Sequence, residues 1–371
     1  MGMIEFSHVN KTFPNGYQVI KNLNLDIEKG DFAILVGAPG SGKSTVLRMA
    51  AGLEEPTFGE VRIEGELLRN IPPEDRSIAM VFQNYALYPK LTVFDNIGFG
   101  LKQRNVEESL IEKKVLEMAE FFEITNLLKK KPKSLSGSER QRVALSRALI
   151  TDARILILDE PFSSFDKPLR LRIRERFLEA KRQSNRTILY VTHNMEDAMY
   201  LATKLIVMKK GKIHQVGTPA QVYAHPRTMF VASFIGEPGI NLIDGSCEVW
   251  GTKVYITTPM GELSLRGGLE SKLITGNYNG KVVVVGLRPD ACSIVEEGSP
   301  DMEKKHNLIR AKIESVEAFR EQLWVRLVAF GIFYNALIPW NNIINPGDEI
   351  VFKIDTSKIL VYDKETKKIL N

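Results

Sequence analysis

The chain reads as an α/β domain built on buried parallel strands, interrupted by a helical insertion and followed by a small all-β domain. Three observations predict this. Short, continuous apolar runs alternate with helical patterns through the first part. Between Gln83 and Ile150 the pattern turns mostly helical. From about Gly236, short strands punctuated by Gly and Pro take over. The expected domains are residues 1–235, with the helical part at about 84–150, and residues 236–371. A length of 371 residues suits one large and one small domain.

In chain order, Leu23, Leu25 and Ile27 alternate with polar residues, as in a half-buried strand. Phe32–Val36 is continuously apolar between Gly30 and Gly37, and residues 156–158 and 188–191 are similar runs. Such runs fit parallel strands covered on both faces. Helical patterns at 43–49, 168–181 and 195–201 follow them, so right-handed crossovers are expected. Within the insertion, residues 92–101, 107–122 and 137–150 read as amphipathic helices. The turn-rich sequence EPGINLIDG marks a linker. Beyond it, residues 282–287, 311–316, 323–328 and 350–354 read as short strands, with GLRPD and NPGDE among the punctuation. A barrel-like arrangement is expected.

Composition excludes several function classes. The formal net charge is +5, a mild excess over many charges of both signs, and no basic stripe marks a nucleic-acid surface. The densest basic run, Lys129, Lys130, Lys131 and Lys133, follows a helical pattern, where cations at a helix C-terminus explain it. No nucleic-acid partner is expected. Cys247 and Cys292 lie far apart without CxxC spacing, which fits a reduced cytosol. The start, MGMIEFSHVN, lacks an apolar signal core, and no apolar run reaches the roughly 18–20 residues of a spanning helix. A soluble protein is expected, serving any membrane process through a partner.

Two motifs carry chemistry. Residues 37–45, GAPGSGKST, match G-x-x-x-x-G-K-[ST], with an apolar strand before and a helical pattern after. Backbone N–H groups of Gly37, Ala38, Gly40, Ser41, Gly42 and Thr45 can wrap phosphate oxygens at a helix N-terminus, with Pro39 lending a fixed turn. Lys43 is expected on the β- and γ-phosphates and Ser44 on Mg²⁺. A Gly-rich turn that merely caps a helix needs neither the Lys nor the Ser. The second motif, ILILDE at 155–160, ends a buried strand in two acids. There Asp159 is expected to hold the metal and Glu160 to act as general base on water. The strand delivers both acids to the sheet edge where open α/β folds bind nucleotides.

Further residues carry a family resemblance. LSGSERQ, residues 135–141, opens a helix; Gln83 lies in MVFQNYALYP, His193 in YVTHN, and Ser163 to Asp166 read SSFD. Their order and approximate spacing resemble those of the ATP-binding cassette (ABC) family, a P-loop NTPase fold with a helical subdomain. The resemblance implies ATP and Mg²⁺ as ligands and supplies roles. Phe13 takes the place of an aromatic that stacks on adenine; Tyr17 is the competitor, and spacing to the following strand favours Phe13. Gln83 touches Mg²⁺ or the attacking water. His193 contacts the γ-phosphate. The helix head at Ser136, Gly137, Ser138 and Glu139, together with Asp166, completes the site of the opposite subunit, so a homodimer sandwiches two ATP molecules. Lys43, Gln83, Glu160 and His193 form the catalytic set, and Ser44, Gln83 and Asp159 the metal set.

Four positions depart from the common family pattern: Ser138 for Gly, Glu139 for Gln, Phe165 for Leu, and Asn194 for an acid. Ser138 adds a side chain and Glu139 a negative charge near the triphosphate, both expected to weaken closure. Activity is expected to survive, since Ser136, Gly137, Lys43, Glu160 and His193 are present. GTPAQVYAHP, GLRPD and VYDKETKKIL resemble importer ATPases of the maltose-transporter type, whose C-terminal domain is a TOBE/OB-like β-barrel. That implies integral-membrane permease subunits as partners, a solute-binding protein acting indirectly, and a place at the cytoplasmic face of the membrane. Sugar leads as solute, with glycerol phosphate, polyamines, iron or oxyanions as alternatives; SVEAFREQLWVRL departs from the sugar-type pattern. A soluble ABC enzyme acting on nucleic acid or ribosomes usually carries two cassettes or a coiled-coil insert. A regulatory module that hardly hydrolyses ATP draws support from Ser138 and Glu139 alone.

Overall fold

The computed structural model describes residues 2–296, 298–300 and 306–371. It divides into two compact units, residues 1–220 and 221–371.

The first unit runs β1 (Ile4–Thr12), β2 (Gln18–Ile27), β3 (Phe32–Val36), α1 (Lys43–Ala50), β4 (Phe58–Ile63), β5 (Glu66–Leu67) and β6 (Ile78–Val81). Three helices follow: α2 (Val93–Gln103), α3 (Glu108–Phe121) and α4 (Gly137–Leu149). The unit continues through β7 (Ile155–Asp159), α5 (Lys167–Gln183), β8 (Thr187–Val191), α6 (Met195–Leu201), β9 (Lys204–Lys209) and β10 (Lys212–Gly217). One six-stranded sheet has the order β10-β9-β3-β8-β7-β6. It is parallel except for the hairpin partner β10. Every residue of β3, β7 and β8 is buried, as their unbroken apolar runs require. A second, antiparallel sheet has the order β2-β1-β4-β5.

The helical insertion stands where the sequence predicts it. Thr92 caps α2 by accepting from the Asp95 amide at 3.1 Å. Asn96 is fully buried and secures the turn before α2, donating to the Tyr88, Leu91 and Thr92 carbonyls and accepting from the Tyr88 amide.

Helix α7 (Pro219–Ala224) straddles the boundary between the units, and α8 (Met229–Phe234) lies wholly in the second. The unit then contains β11 (Asn241–Trp250), β12 (Lys253–Thr258), β13 (Gly261–Ser264), α9 (Gly268–Thr275), β14 (Val282–Leu287) and β15 (Cys292–Ile294). It ends with β16 (Leu308–Phe319), β17 (Gln322–Ala329), β18 (Ile332–Pro339), β19 (Glu349–Ile354) and β20 (Ile359–Asp363). The expected barrel takes the form of two five-stranded antiparallel sheets, β13-β12-β11-β14-β20 and β15-β19-β16-β17-β18. They share one core, with Ile256 and Val285 from the first and Val325, Leu327 and Phe352 from the second. Asn241 pins them together: its amide donates to the Leu287 carbonyl at 3.0 Å and the Asn335 carbonyl at 2.9 Å, and accepts from the Asn335 amide at 2.7 Å.

The contact boundary falls at 220/221, not at the 235/236 read from the linker. Arg288 of GLRPD ties residues 221–235 to the second unit. It is 4% exposed, stacks 4.1 Å from the Tyr223 ring centroid, and donates to the carbonyls of Tyr223 (2.9 Å) and Ile235 (2.5 Å). Ala232 joins Val284, Leu360 and Tyr362 in a small separate core. Residues 221–235 thus pack with the β strands that follow. Cys247 and Cys292 are both unbridged and buried. Among the described residues no helix is long and apolar enough to cross a membrane.

Candidate functional site

The segment read as a phosphate loop connects β3 to α1. Gly42 caps α1 at φ 100°, a left-handed conformation that favours glycine, and a Cβ there would lie 2.6 Å from Ile20 Cδ1. Gly37 passes so close to the Met208 carbonyl that a Cβ would collide with it. The Lys43 ammonium, buried beneath the loop, donates to the Gly37 carbonyl at 2.8 Å and the Ala38 carbonyl at 3.2 Å. Burial lowers its pKa, opposed by the charges of Glu160 and Asp159. Ser41 Oγ is buried and makes no hydrogen bond.

Because β7 pairs with β8, the ends of these strands place Asp159, Glu160 and His193 together. Asp159 is 8% exposed; burial, then the neighbouring Glu160 charge, pushes its pKa up, while Arg48, the Ser44 hydroxyl and Lys43 pull it down. Ser44, Arg48, Phe82, Gln83, Asn84 and Asp159 line one cleft of about 310 Å³. Ser44, Gln83 and Asp159 can each present oxygen, the donor type that Mg²⁺ takes. A buried carboxylate destabilised by a second carboxylate is what a nearby dication relieves, so these residues fit the metal. Glu160 has φ 49°, in the sparsely populated left-handed region, with its amide on the Val191 carbonyl at 3.0 Å. Its Oε1 lies 2.9 Å from His193 Nδ1. The imidazole is 64% exposed, open to a ligand or a second protein surface.

The remaining predicted residues divide between this cluster and the helix head of α4. Ser136 caps α4 reciprocally: its Oγ accepts from the Glu139 amide at 3.2 Å, and Glu139 Oε2 accepts from the Ser136 amide at 2.7 Å. That amide is the chief cause holding the Glu139 carboxyl below its ordinary range. The negative charge that the sequence reading sets against the triphosphate is therefore engaged by its own helix. Gly137 sits next to Tyr85, whose hydroxyl would be 3.8 Å from a Cβ at that position. Asp166 caps α5, accepting from the Leu169 amide at 2.9 Å. Phe165 is buried and stacks on Phe162 with centroids 5.7 Å apart. Asn194 caps α6 through the Asp197 amide at 2.9 Å. Phe13 packs partly buried against the core of the antiparallel sheet, with Lys11 5.7 Å from its ring centroid. Tyr17, which pairs with it across the turn, is 57% exposed.

Sequence reading gave no role to two residues that hold this site. Arg147 of α4 donates to the Ala86 carbonyl at 2.9 Å, anchoring the segment after Gln83. Gln141, 1% exposed, bonds the backbone at Glu160 and Ser164. Its signal was a polar residue heading the buried helical stripe of Ala144, Leu145 and Ala148.

Comparison with known proteins places the chain in a family. The family described as ABC transporter matches residues 20–163. The chain is 38% identical to the oligosaccharides import ATP-binding protein MsmX of Bacillus subtilis, covering 99% of both chains. It is 42% identical to the sn-glycerol-3-phosphate import ATP-binding protein UgpC of Psychromonas ingrahamii, over 84% of this chain and 80% of that protein. A dimeric post-hydrolysis structure of the ATP-binding cassette MJ0796 with ADP and Pi matches at 29% identity and TM-score 0.55, covering 58% of this chain and 99% of that one.

Proposed function

Because the chain belongs to the ABC transporter family and is one of its ATPases, we propose that it powers a binding-protein-dependent importer whose solute is a sugar. Two copies close face to face around two molecules of Mg-ATP. The observation that carries this reading is the Glu160–His193 pair, 2.9 Å apart, at the strand ends adjoining Lys43 and Asp159.

Residues 37–45 receive the triphosphate at the head of α1, where unpaired N–H groups favour anions. Lys43 exchanges its loop carbonyls for phosphate oxygens. Glu160 accepts the proton of the attacking water. With Nδ1 held by Glu160, His193 meets the γ-phosphate through Nε2. Ser44, Gln83 and Asp159 hold the Mg²⁺, which, when bound, neutralises charge on the phosphate oxygens. Ser136, Gly137, Ser138, Glu139 and Asp166 serve the site of the opposite protomer. Phe13 stacks on adenine. Phe13→Ala weakens ATP binding in a fluorescence titration and Tyr17→Ala does not; the reverse pattern transfers the role to Tyr17.

The match to MsmX across 99% of both chains favours an oligosaccharide. The shorter match to UgpC keeps glycerol 3-phosphate as the second reading. The chain docks on integral-membrane permease subunits at the cytoplasmic face, and a solute-binding protein acts through them. The test is reconstitution with the permease pair in vesicles, measuring ATP-dependent uptake of labelled oligosaccharide and glycerol 3-phosphate. Oligosaccharide uptake is expected. Uptake of glycerol phosphate alone corrects the solute, and absence of coupled uptake of any solute with brisk hydrolysis removes the importer reading.

A further inference from the structure

Gln141 lies one helical turn inside α4, about 6 Å along the axis from Gly137 at 1.5 Å per residue. It is buried, at 1% exposure, on the stripe that also buries Ala144, Leu145 and Ala148. A buried amide there is costly unless its hydrogen bonds are made. They are made, and with residues 160–164. Nε2 donates to the Glu160 carbonyl at 2.8 Å. Oε1 accepts from the Ser164 amide at 3.0 Å and from the Ser164 hydroxyl. The orientation of the amide is fixed by these partners, since a flip would set N–H against N–H and oxygen against oxygen.

Glu160 needs such support. Its φ of 49° is a conformation a glutamate seldom adopts, and such strain persists only where the surroundings over-determine it. Its amide is tied to Val191, its carbonyl to Gln141 and to Ser163 Oγ at 3.0 Å, and its side chain to His193. Gln141 alone among these partners belongs to α4.

We propose that Gln141 is a positioning residue that couples the head of α4, which grips the partner protomer's ATP, to this protomer's own general base. Movement of α4 on closure is carried through the Gln141 amide to the backbone of Glu160 and Ser164. Each protomer thereby aligns its own Glu160 only when its α4 is seated on the other's nucleotide, and the two sites fire together. The inference rests on the assignment of Glu160 and of the α4 head under the proposed function.

The test uses the full-length protein with Mg-ATP. Gln141→Met keeps the length and removes every hydrogen bond, so kcat is expected to fall roughly 10- to 100-fold, as for a misplaced catalytic group. KM and the nucleotide dissociation constant should stay within about twofold of wild type, and the Hill coefficient should drop toward one. Gln141→Glu supplies a diagnostic that packing alone does not. Ionised, its carboxylate faces the Glu160 carbonyl without a proton to give; protonated, it donates there and still accepts from Ser164. Its activity relative to wild type is expected to rise as pH falls from 8 to 6. Gln141→Asn, which keeps the amide but is one methylene short, serves if Met does not fold, with the same expected loss. Wild-type kcat and cooperativity in Gln141→Met, or a flat relative pH profile in Gln141→Glu, overturns the proposal. Glu160→Gln run alongside separates the causes: if it hydrolyses normally, the general-base assignment fails and takes this inference with it.

Discussion

Replacing Glu160 by Gln tests the chemistry most directly, because the structure leaves little else for the change to disturb. The amide has the shape of the carboxylate and can keep the 2.9 Å contact with His193. The left-handed backbone is held by main-chain groups and by Gln141 and Ser163, none of which contacts the altered oxygen. The loss is therefore confined to proton acceptance. A positioned general base contributes about 10²- to 10⁴-fold, or about 2.7–5.4 kcal/mol at 1.36 kcal/mol per decade. Nucleotide affinity should hold or rise, since one of two adjacent acids near the triphosphate loses its charge. The assay is phosphate release under saturating Mg-ATP, with size-exclusion chromatography in ATP and in ADP. The expected result is a fall in kcat of at least about a hundredfold and a dimer that persists in ATP. A kcat within about threefold of wild type, which is less than 1 kcal/mol, would refute the assignment of Glu160.

Three further outcomes are expected. Lys43→Ala removes the loop's buried cation and its bonds to Gly37 and Ala38; ATP affinity measured by titration should fall at least about tenfold, or about 1.4 kcal/mol, and an unchanged dissociation constant removes the phosphate-loop reading. Arg288→Met abolishes short bonds to the Ile235 and Tyr223 carbonyls; at about 1.5–3 kcal/mol each, partly offset by the guanidinium's desolvation, the net loss is about 2–4 kcal/mol. That lowers Tm of the second unit by about 4–16 °C, and a shift under about 1 °C contradicts the clasp. Asp363 is held at about 2, chiefly by the Thr366 amide and also by the Tyr278 hydroxyl. Its pKa is depressed on folding, so the stabilisation is complete above the unfolded value near 3.9 and fades as pH falls toward 2. The Tm gap between wild type and Asp363→Asn should accordingly be present at pH 6 and shrink below pH 4, and a gap independent of pH rules the linkage out.

Local physics made much of this readable. The strand, turn and helix around GKS were legible because the apolar run, the glycines and the helical pattern coincide within a short stretch. Asp159 and Glu160 are legible for the same reason. Contacts across sequence distance are not. The pairing of Glu160 with His193, 33 residues apart, exists because β7 lies beside β8, which no local pattern states. The packing of residues 221–235 with the second unit includes Arg288 reaching 53 and 65 residues back. Helix α9 lies in a region read as wholly β, and its Leu273 is buried in the core between the sheets. Phe13 was readable as an aromatic of the antiparallel core as well as an adenine platform, and it packs partly buried against that core. Glu139 was legible as a charge at the head of α4, but not its reciprocal cap with Ser136, which depends on rotamers as well as on spacing.

That reciprocal cap has a thermodynamic corollary. With Ser136 and Glu139 locked to each other, the first turn of α4 is already stiff in the isolated protomer. Side chains that are free beforehand forfeit about 0.5–1.5 kcal/mol apiece when an encounter immobilises them. In the proposed dimer that penalty is met during folding, so docking would begin from a preorganised edge and more of the contact energy would survive as affinity.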